Sequence, residues 1–168
     1  LDLTLTGKDC GLKERAPMCG VPYHAVEGYV AKLIKKGYRV AICEQMEDPK
    51  LAKGLVERQV IRVITPGTVI EQAMLDDRSN NFLVSVCLDG DAAGLALCDV
   101  STGEFSIYQI AGALDQLMQE LSRISPSEII ANAEARRFKT AISAPVPLGE
   151  FDDEAYLEEN AEDALKAH

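Results

Sequence analysis

Three strand-like segments follow one another closely in the second half of the 168-residue chain, and their spacing narrows the possible folds more than any other feature. The segments cover residues 81–88, 93–99 and 104–109. Their connections carry Asp89-Gly90 and Ser101-Thr102-Gly103, and short connections that contain glycine join antiparallel strands as hairpins. A helical pattern at 113–123 and a short apolar strand at 127–131 come next. The order β-β-β-α-β predicts a meander followed by a crossover.

The first half has the patterns of a smaller unit of strands and one helix. Apolar and polar residues alternate over 1–6, which predicts a half-buried strand, and 7–22 is rich in glycine, proline and charge, which predicts a loop. Residues 24–36 place apolar side chains at helical spacing and end before Gly37, a typical C-terminal cap. Two strands rich in β-branched residues are predicted to follow, at 38–43 and 60–64.

The tetrapeptide Thr65-Pro66-Gly67-Thr68 predicts the turn that ends this unit. Proline presets φ at the second position and glycine accepts a positive φ at the third, so we expect a type II turn. The domain boundary is placed just after it. The predicted organisation is an α/β (α+β) chain with a first domain at 1–70, a polar linker at 71–79 and a second domain at 80–168.

The charge of the chain changes sign near this boundary. Residues 1–70 hold 11 Lys/Arg and 8 Asp/Glu, a net of +3, whereas residues 71–168 hold 6 and 19, a net of −13; together they give the formal −10. Neutralising phosphates needs a cationic face, so the first half is the better candidate for polyanion contact. Two domains with differently solvated surfaces would produce the same asymmetry. Residues 150–168 hold eight acidic residues, which predicts an acidic amphipathic helix or a frayed tail.

The sequence lacks the residue patterns that nucleotide hydrolysis, nucleophilic catalysis and metal-dependent cleavage require. There is no phosphate-binding glycine loop of either common type, and the two histidines, His24 and His168, have no nucleophile motif beside them. Ribonuclease H-like nucleases begin with a similar meander, but they need an acidic residue inside the first strand, and 81–88 has none. Asp89 and Asp99 are therefore expected to form turns. Five cysteines without a Cys-x-x-Cys motif indicate reduced thiols in a cytosol.

The first half concentrates residues that could contact DNA. The segment Pro17–Met18–Cys19–Gly20–Val21–Pro22–Tyr23–His24 is a stiff loop with apolar and aromatic side chains, and such side chains can support bases in a minor groove. Gln45 could read minor-groove acceptors. Four cations could contact phosphates, which position a duplex without reading its sequence: Lys50, Lys53, Arg58 and Arg62.

Four segments, taken in order, resemble the MutS family of DNA mismatch repair proteins. They are Leu1-Asp2-Leu3-Thr4-Leu5-Thr6, Pro17-Met18-Cys19-Gly20-Val21-Pro22-Tyr23-His24-Ala25, Val40-Ala41-Ile42-Cys43-Glu44-Gln45 and Arg62-Val63-Ile64-Thr65-Pro66-Gly67-Thr68. The strings Pro-Tyr-His, Cys-Glu-Gln and Thr-Pro-Gly-Thr at these separations are highly specific. The match is strong over roughly residues 1–110 and rests on pattern for the remainder.

The resemblance implies a mixed α/β mismatch-recognition domain, domain I, in the first half and a ribonuclease H-like connector domain, domain II, in the second. It implies a dimeric protein of the bacterial cytosol that binds mispaired or looped duplex DNA and recruits MutL. By position, Lys8, Gln45 and Arg58 resemble the family's DNA-facing residues, and Met18 and Tyr23 lie on the neighbouring loop. The ATP and magnesium implied for the family would bind outside this chain, so we expect no catalysis from it.

Two departures from the family pattern shape the functional expectation. The family's Phe-x-Glu motif, whose phenylalanine stacks on the mispaired base, does not occur in the sequence. The connector also needs at least one strand more than the pattern predicts, so both domains are expected to be incomplete pieces of a longer protein. Two other functions stay open: a ribonuclease H-like metal-dependent nuclease, and a pure protein-interaction module acting through the acidic half.

Overall fold

A five-stranded sheet organises the second half of the chain. The computed structural model describes residues 1–11, 13–48, 54–76, 79–111, 114–142 and 146–167. The five strands are β5 (Leu83–Asp89), β6 (Ala92–Asp99), β7 (Glu104–Ala111), β8 (Glu128–Ala131) and β9 (Leu148–Glu150), with β1–β4 in the first half. Their order across the sheet is β7-β6-β5-β8-β9. The predicted hairpins β5–β6 and β6–β7 are confirmed as antiparallel pairs.

The predicted crossover is confirmed, and it brings a strand that the sequence pattern did not predict. Helix α2 (Leu114–Ile124) carries the chain from β7 to β8, and β8 runs parallel to β5. Two short helices, α3 (Ala133–Arg136) and α4 (Lys139–Ile142), then lead toward β9, which pairs parallel with β8. The sheet therefore has the additional strand that the connector was expected to need.

The main hydrophobic core lies between one face of this sheet and α2. Leu117 and Leu121, four residues apart and so on one side of α2, pack among alternate residues of the strands. These strand residues are Val84, Val86, Leu88, Ala93, Leu95, Leu97, Ile110, Ile129 and Ala131. On the opposite face, the Tyr156 hydroxyl lies 3.2 Å from Ser85 Oγ. The acidic C-terminal segment forms a 3₁₀ turn at Asp153–Tyr156 and helix α5 at Glu158–Lys166, so the helical alternative is confirmed.

The N-terminal strand prediction is wrong in its position. The structure places β1 at Thr6–Lys8 and β2 at Ala16–Met18, paired antiparallel, so both strands fall largely in the segment predicted as loop. Asp2 has a φ of 52°, which interrupts an extended backbone, and Leu5 is 71% exposed. The apolar side of the alternation over 1–6 is therefore only partly buried, since Leu3 is half-buried and Leu1 and Leu5 are exposed.

The predicted helix forms with a later start. Helix α1 covers Val26–Ile34 and follows a 3₁₀ turn at Tyr23–Ala25. Its glycine cap is confirmed, because Gly37 has a φ of 80° and its N–H donates to the carbonyl of Ile34 at 2.8 Å. The N–H of Tyr38 donates to the carbonyl of Leu33 at 3.1 Å, which completes a Schellman motif.

An antiparallel pair of strands, β3 (Val40–Gln45) and β4 (Arg58–Ile64), confirms the two predicted strands with shifted ends. The pairing runs from Val40 opposite Ile64 to Gln45 opposite Arg58, with an irregularity between Ile42 and Cys43. We call the first end the base of the β3–β4 ribbon and the second end its tip. The base packs on α1 in a small core of four buried residues: Val30, Ile34, Ile64 and Val69.

The turn after β4 is not the type II turn that the sequence predicts. Pro66–Thr68 forms a 3₁₀ turn with a capping box between Thr65 and Thr68, and Gly67 is not among the glycines with positive φ. Glycine is needed there for space: a Cβ on Gly67 would lie 2.8 Å from Glu128 Cβ and 3.0 Å from Leu83 Cβ. This glycine is therefore required by packing against the second half.

The segment predicted as a polar linker contacts the first core. A 3₁₀ turn covers Gln72–Met74, and Met74 and Leu75 pack against the small core of the first half. The proposed domain limits of 1–70, 71–79 and 80–168 stay a prediction.

Within the described ranges, no helix combines the length and hydrophobicity that a bilayer crossing requires. All five cysteines are free thiols.

Candidate nucleic-acid interface

The tip of the β3–β4 ribbon brings two of the predicted site residues together. Gln45 and Arg58 are directly opposite each other in the antiparallel register, and both are exposed. Opposite residues have Cβ atoms roughly 5 Å apart, so the amide and the guanidinium can address one ligand. Arg58 Nη1 donates to the carbonyl of Val56 at 3.3 Å, and the N–H of Met46 donates to the carbonyl of Glu57 at 3.0 Å, which holds the strand ends together.

A second hairpin carries Lys8 and Met18. Met18 lies opposite Thr6 and Lys8 opposite Ala16, so alternation along the strands places Lys8 and Met18 on the same face. The Thr6 hydroxyl donates to the carbonyl of Met18 at 2.7 Å. Lys8 is exposed, Met18 is 45% exposed, and the Lys8 side chain forms no hydrogen bond or ion pair with another described residue.

Arg15 is a cation of this hairpin that the sequence reasoning missed. It precedes β2, and a Cβ on Gly7 would lie 3.1 Å from Arg15 Cβ and 3.7 Å from its Nε, so the arginine side chain lies over the glycine. The signal was a basic residue within the Gly-, Pro- and charge-rich segment. Assigning that whole segment to a loop concealed that Arg15 shares a hairpin with Lys8.

Tyr23 is far more exposed than Met18, the other apolar side chain among the predicted residues. It begins the 3₁₀ turn before α1, follows Pro22 directly, and has 92% of its surface exposed. His24 beside it is also exposed, and no side chain caps α1. The β1–β2 and β3–β4 pairs belong to separate sheets. The structure therefore groups the predicted residues as two pairs and one aromatic side chain.

Among the other cations predicted to contact phosphates, Arg62 forms an ion pair within the chain. Arg62 Nη1 lies 2.5 Å from Glu71 Oε1. The hydrogen bond from Arg62 holds the pKa of the Glu71 carboxyl below its ordinary value, against a smaller opposing effect of burial. Arg62 is thus partly neutralised by a carboxylate, whereas Arg58 is not paired with one among the described residues. Lys50 and Lys53 lie outside the described residues.

The buried carboxylate of Asp99 forms a turn in this structure. Asp99 is 1% exposed; its Oδ1 accepts from the N–H and hydroxyl of Ser101 at 3.0 and 2.6 Å, and its Oδ2 accepts from the N–H of Asn81 at 2.9 Å. Burial raises the pKa of this carboxyl, but the hydrogen bonds outweigh it, so the pKa lies below the ordinary value. The predicted turn role of Asp99 is confirmed, and both of its oxygens are occupied. Across the described ranges, no group of three His, Cys, Asp or Glu could hold a metal ion.

The base of the β3–β4 ribbon contains a buried carboxylate that the sequence reasoning also missed. Glu128, the first residue of β8, is 2% exposed. Its Oε1 accepts from Arg39 Nη2 at 3.1 Å, and its Oε2 accepts from the N–H of Gly67 at 3.0 Å. Asn81 joins the same region, donating from Nδ2 to the carbonyl of Pro66 at 2.9 Å. These bonds connect the two halves of the chain. A glutamate inside a predicted buried strand was the available signal.

The two halves of the chain match two domains of one family of DNA mismatch repair proteins. The family model of MutS domain I matches residues 1–73, and that of MutS domain II matches residues 81–164. The chain therefore belongs to the MutS family.

Individual relatives agree with this assignment. The DNA mismatch repair protein MutS of Acetivibrio thermocellus is 57% identical over 136 residues, which cover 80% of this chain and 16% of the relative. The MutS proteins of Ruminiclostridium cellulolyticum and Lachnoclostridium phytofermentans are 46% and 43% identical over alignments that cover the whole chain and 20% and 18% of each relative. The chain thus spans a fifth or less of the length of these relatives.

Proposed function

We propose that the first half of this chain contacts duplex DNA through the tip of the β3–β4 ribbon and the β1–β2 hairpin. The observation that carries the proposal is the exposed Gln45–Arg58 pair, in which one residue can accept and donate hydrogen bonds and the other is cationic. In this proposal Arg58 and Lys8 contact phosphates, and Gln45 faces the minor groove. Met18 and Tyr23 supply apolar and aromatic surface beside them.

The charge distribution supports a contact limited to the first half. That half has a net charge of +3, and the remainder of the chain has −13. A duplex carries one negative charge for about every 1.7 Å of its axis, so a strongly acidic surface repels it. Binding by the isolated chain is expected to be weak and steeply dependent on salt.

Little preference for mismatches is expected from this chain. A wedge that unstacks a base needs an inserted apolar or aromatic side chain, and the sequence contains no Phe-x-Glu motif. Fluorescence anisotropy with a labelled matched duplex and the same duplex carrying one mispair measures this directly. Strong preference of the wild-type chain for the mispaired duplex would contradict the proposal.

Replacing Arg58 tests the proposed contact. Arg58→Ala is expected to weaken the binding of matched and mispaired duplexes equally. It should also reduce the slope of log affinity against log salt concentration by about 1, because one phosphate contact is lost. Arg137→Ala is the matched control, since Arg137 is an exposed cation in the acidic half. An unchanged affinity and salt slope in Arg58→Ala, or an equal loss in the control, would refute the assignment.

The connector half is proposed to provide protein contacts without catalysis. Recruitment of MutL and dimerisation are proposals for the longer protein, by resemblance to the family. A pull-down with purified MutL is expected to retain the Arg58→Ala variant as well as the wild-type chain. We expect ATP and magnesium to bind outside this chain, because its sequence has no phosphate-binding glycine loop and the Asp99 oxygens accept from protein donors. We therefore expect no cleavage of labelled DNA or RNA with magnesium or manganese.

A further inference from the structure

One carboxylate connects both strands of the β3–β4 ribbon to the second half of the chain. Arg39 directly precedes β3, and Gly67 lies three residues after β4 ends. Glu128 accepts from Arg39 with one oxygen and from the Gly67 N–H with the other, across 89 and 61 residues of sequence. The base of the ribbon is therefore held on both sides by a side chain of β8, the strand that pairs with the centre of the five-stranded sheet.

The surroundings of Glu128 leave little freedom for a different arrangement. The Glu128 side chain is 3% exposed, whereas that of Arg39 is 43% exposed. A Cβ on Gly149 would collide with the Arg39 guanidinium, and a Cβ on Gly67 would collide with Glu128 and Leu83. Hydrogen bonds to a charged, buried acceptor are strong and directional. The contact thus fixes an orientation as well as a distance.

The candidate DNA residues lie at the other end of the same ribbon. Gln45 is five residues along β3 from Val40, which places the tip about 17 Å from the base at the usual rise of a strand. Over that length a tilt of about 10° at the base displaces the tip by about 3 Å, which is enough to break a hydrogen bond.

We propose that Glu128 is a positioning residue, which sets the angle of the β3–β4 ribbon relative to the connector sheet and thereby the place of Gln45 and Arg58 on DNA. The orientation is a property of this chain alone, and its consequence for DNA rests on the function proposed above. A conformational change in the connector that moved β8 would reach the base of the ribbon through the two hydrogen bonds of Glu128 and so move its tip.

Residual dipolar couplings of backbone amides test the orientation without DNA. In the wild-type chain, the couplings of the β3–β4 ribbon and of the five-stranded sheet are expected to fit one alignment tensor. Glu128→Gln replaces one of the two acceptor oxygens by an NH2 donor and so breaks one of the two contacts, and in this variant the couplings are expected to require two tensors. One common tensor with unchanged orientation in Glu128→Gln, or two tensors in the wild-type chain, would overturn the proposal.

A control separates orientation from a general loss of stability. Asn132 Oδ1 accepts from the N–H groups of Leu88 and Ala135, and its Nδ2 donates to the carbonyl of Leu88, all within the second half. Asn132→Ala is expected to lower the melting temperature and to keep a single tensor. If Glu128→Gln does not fold, Arg39→Met removes the contact between Arg39 and Glu128 from its more exposed side. Two alignment tensors in Arg39→Met would then support the proposal, and one common tensor with unchanged orientation would overturn it.

A double-mutant cycle tests the consequence for DNA. Glu128→Gln is expected to weaken duplex binding about fivefold in the wild-type background and to add little in the Arg58→Ala background. Fully additive losses would show that Glu128 does not act through the tip. If Arg58→Ala has no effect, the proposed DNA contact fails, and the alignment tensors still decide whether Glu128 orients the ribbon.

Discussion

Replacing Gly67 by alanine is expected to destabilise the chain by about 3 kcal/mol. The new Cβ would lie 2.8 Å from Glu128 Cβ and 3.0 Å from Leu83 Cβ, atoms close to the backbone that cannot rotate away. Overpacking of this kind costs about 1–3 kcal/mol, and weakening the hydrogen bond from the Gly67 N–H to the Glu128 carboxylate costs about 1.5–3 kcal/mol. Alanine also lowers the conformational entropy of the unfolded chain, which offsets about 0.4–1 kcal/mol of this loss.

Urea unfolding followed by far-ultraviolet circular dichroism measures this loss, which corresponds to a fall in melting temperature of roughly 6–12 °C for a domain of this size. Gly94→Ala is the matched control: Gly94 lies in β6, and the nearest atom to its added Cβ would be 3.9 Å away. That variant is expected to be neutral or slightly more stable. A loss below about 1 kcal/mol in Gly67→Ala, or equal losses in both variants, would refute the packing argument.

Two further predictions concern titratable groups of the second half. The pKa of Asp99 is lowered in the folded chain, so its stabilising contribution is present above the ordinary value of 3.8 and is lost as the pH falls through the folded pKa. The stability difference between wild type and Asp99→Asn should therefore shrink in strong acid, and a constant difference in urea titrations across pH would contradict this. Burial, with Asp89 and Glu134 nearby, raises the pKa of the Cys87 thiol, so iodoacetamide should alkylate Cys87 more slowly than the exposed Cys19 when followed by mass spectrometry; equal rates would disprove it.

The parts of the fold that the sequence predicted are those set by local pattern. The β5–β6–β7 meander follows from alternation and short connections, and the cap of α1 follows from Gly37. Strand β9 was missed because Leu148–Glu150 is three residues long and carries no alternation of its own. Its strand conformation comes from pairing with β8, and such non-local pairing leaves no trace in a short sequence window.

The candidate site shows the same division between local and non-local information. Gln45 and Arg58 could be named individually, but that they face each other depends on a register with an irregularity at Ile42 and Cys43. The sequence predicted that Gly67 is needed for a positive φ. In the structure a glycine is needed there because Leu83 and Glu128 lie too close for a Cβ, and only the tertiary structure brings them there. Turn sequences identify where a chain bends and say little about what packs against the bend.

The long sequence separation of the Glu128 contacts has a consequence for the order in which the chain is made and folds. Glu128 leaves the ribosome 61 residues after Gly67 and 89 after Arg39. Until then the ribbon is held by its own strand pairing, by its small core and by contacts to residues made earlier than β8, such as the bond between Asn81 and Pro66. We expect this part of a nascent chain to open and close repeatedly until β8 docks, because small units with few buried contacts have low local stability. Codons that slow translation before position 128 would therefore prolong the exposure of this segment to proteases and chaperones.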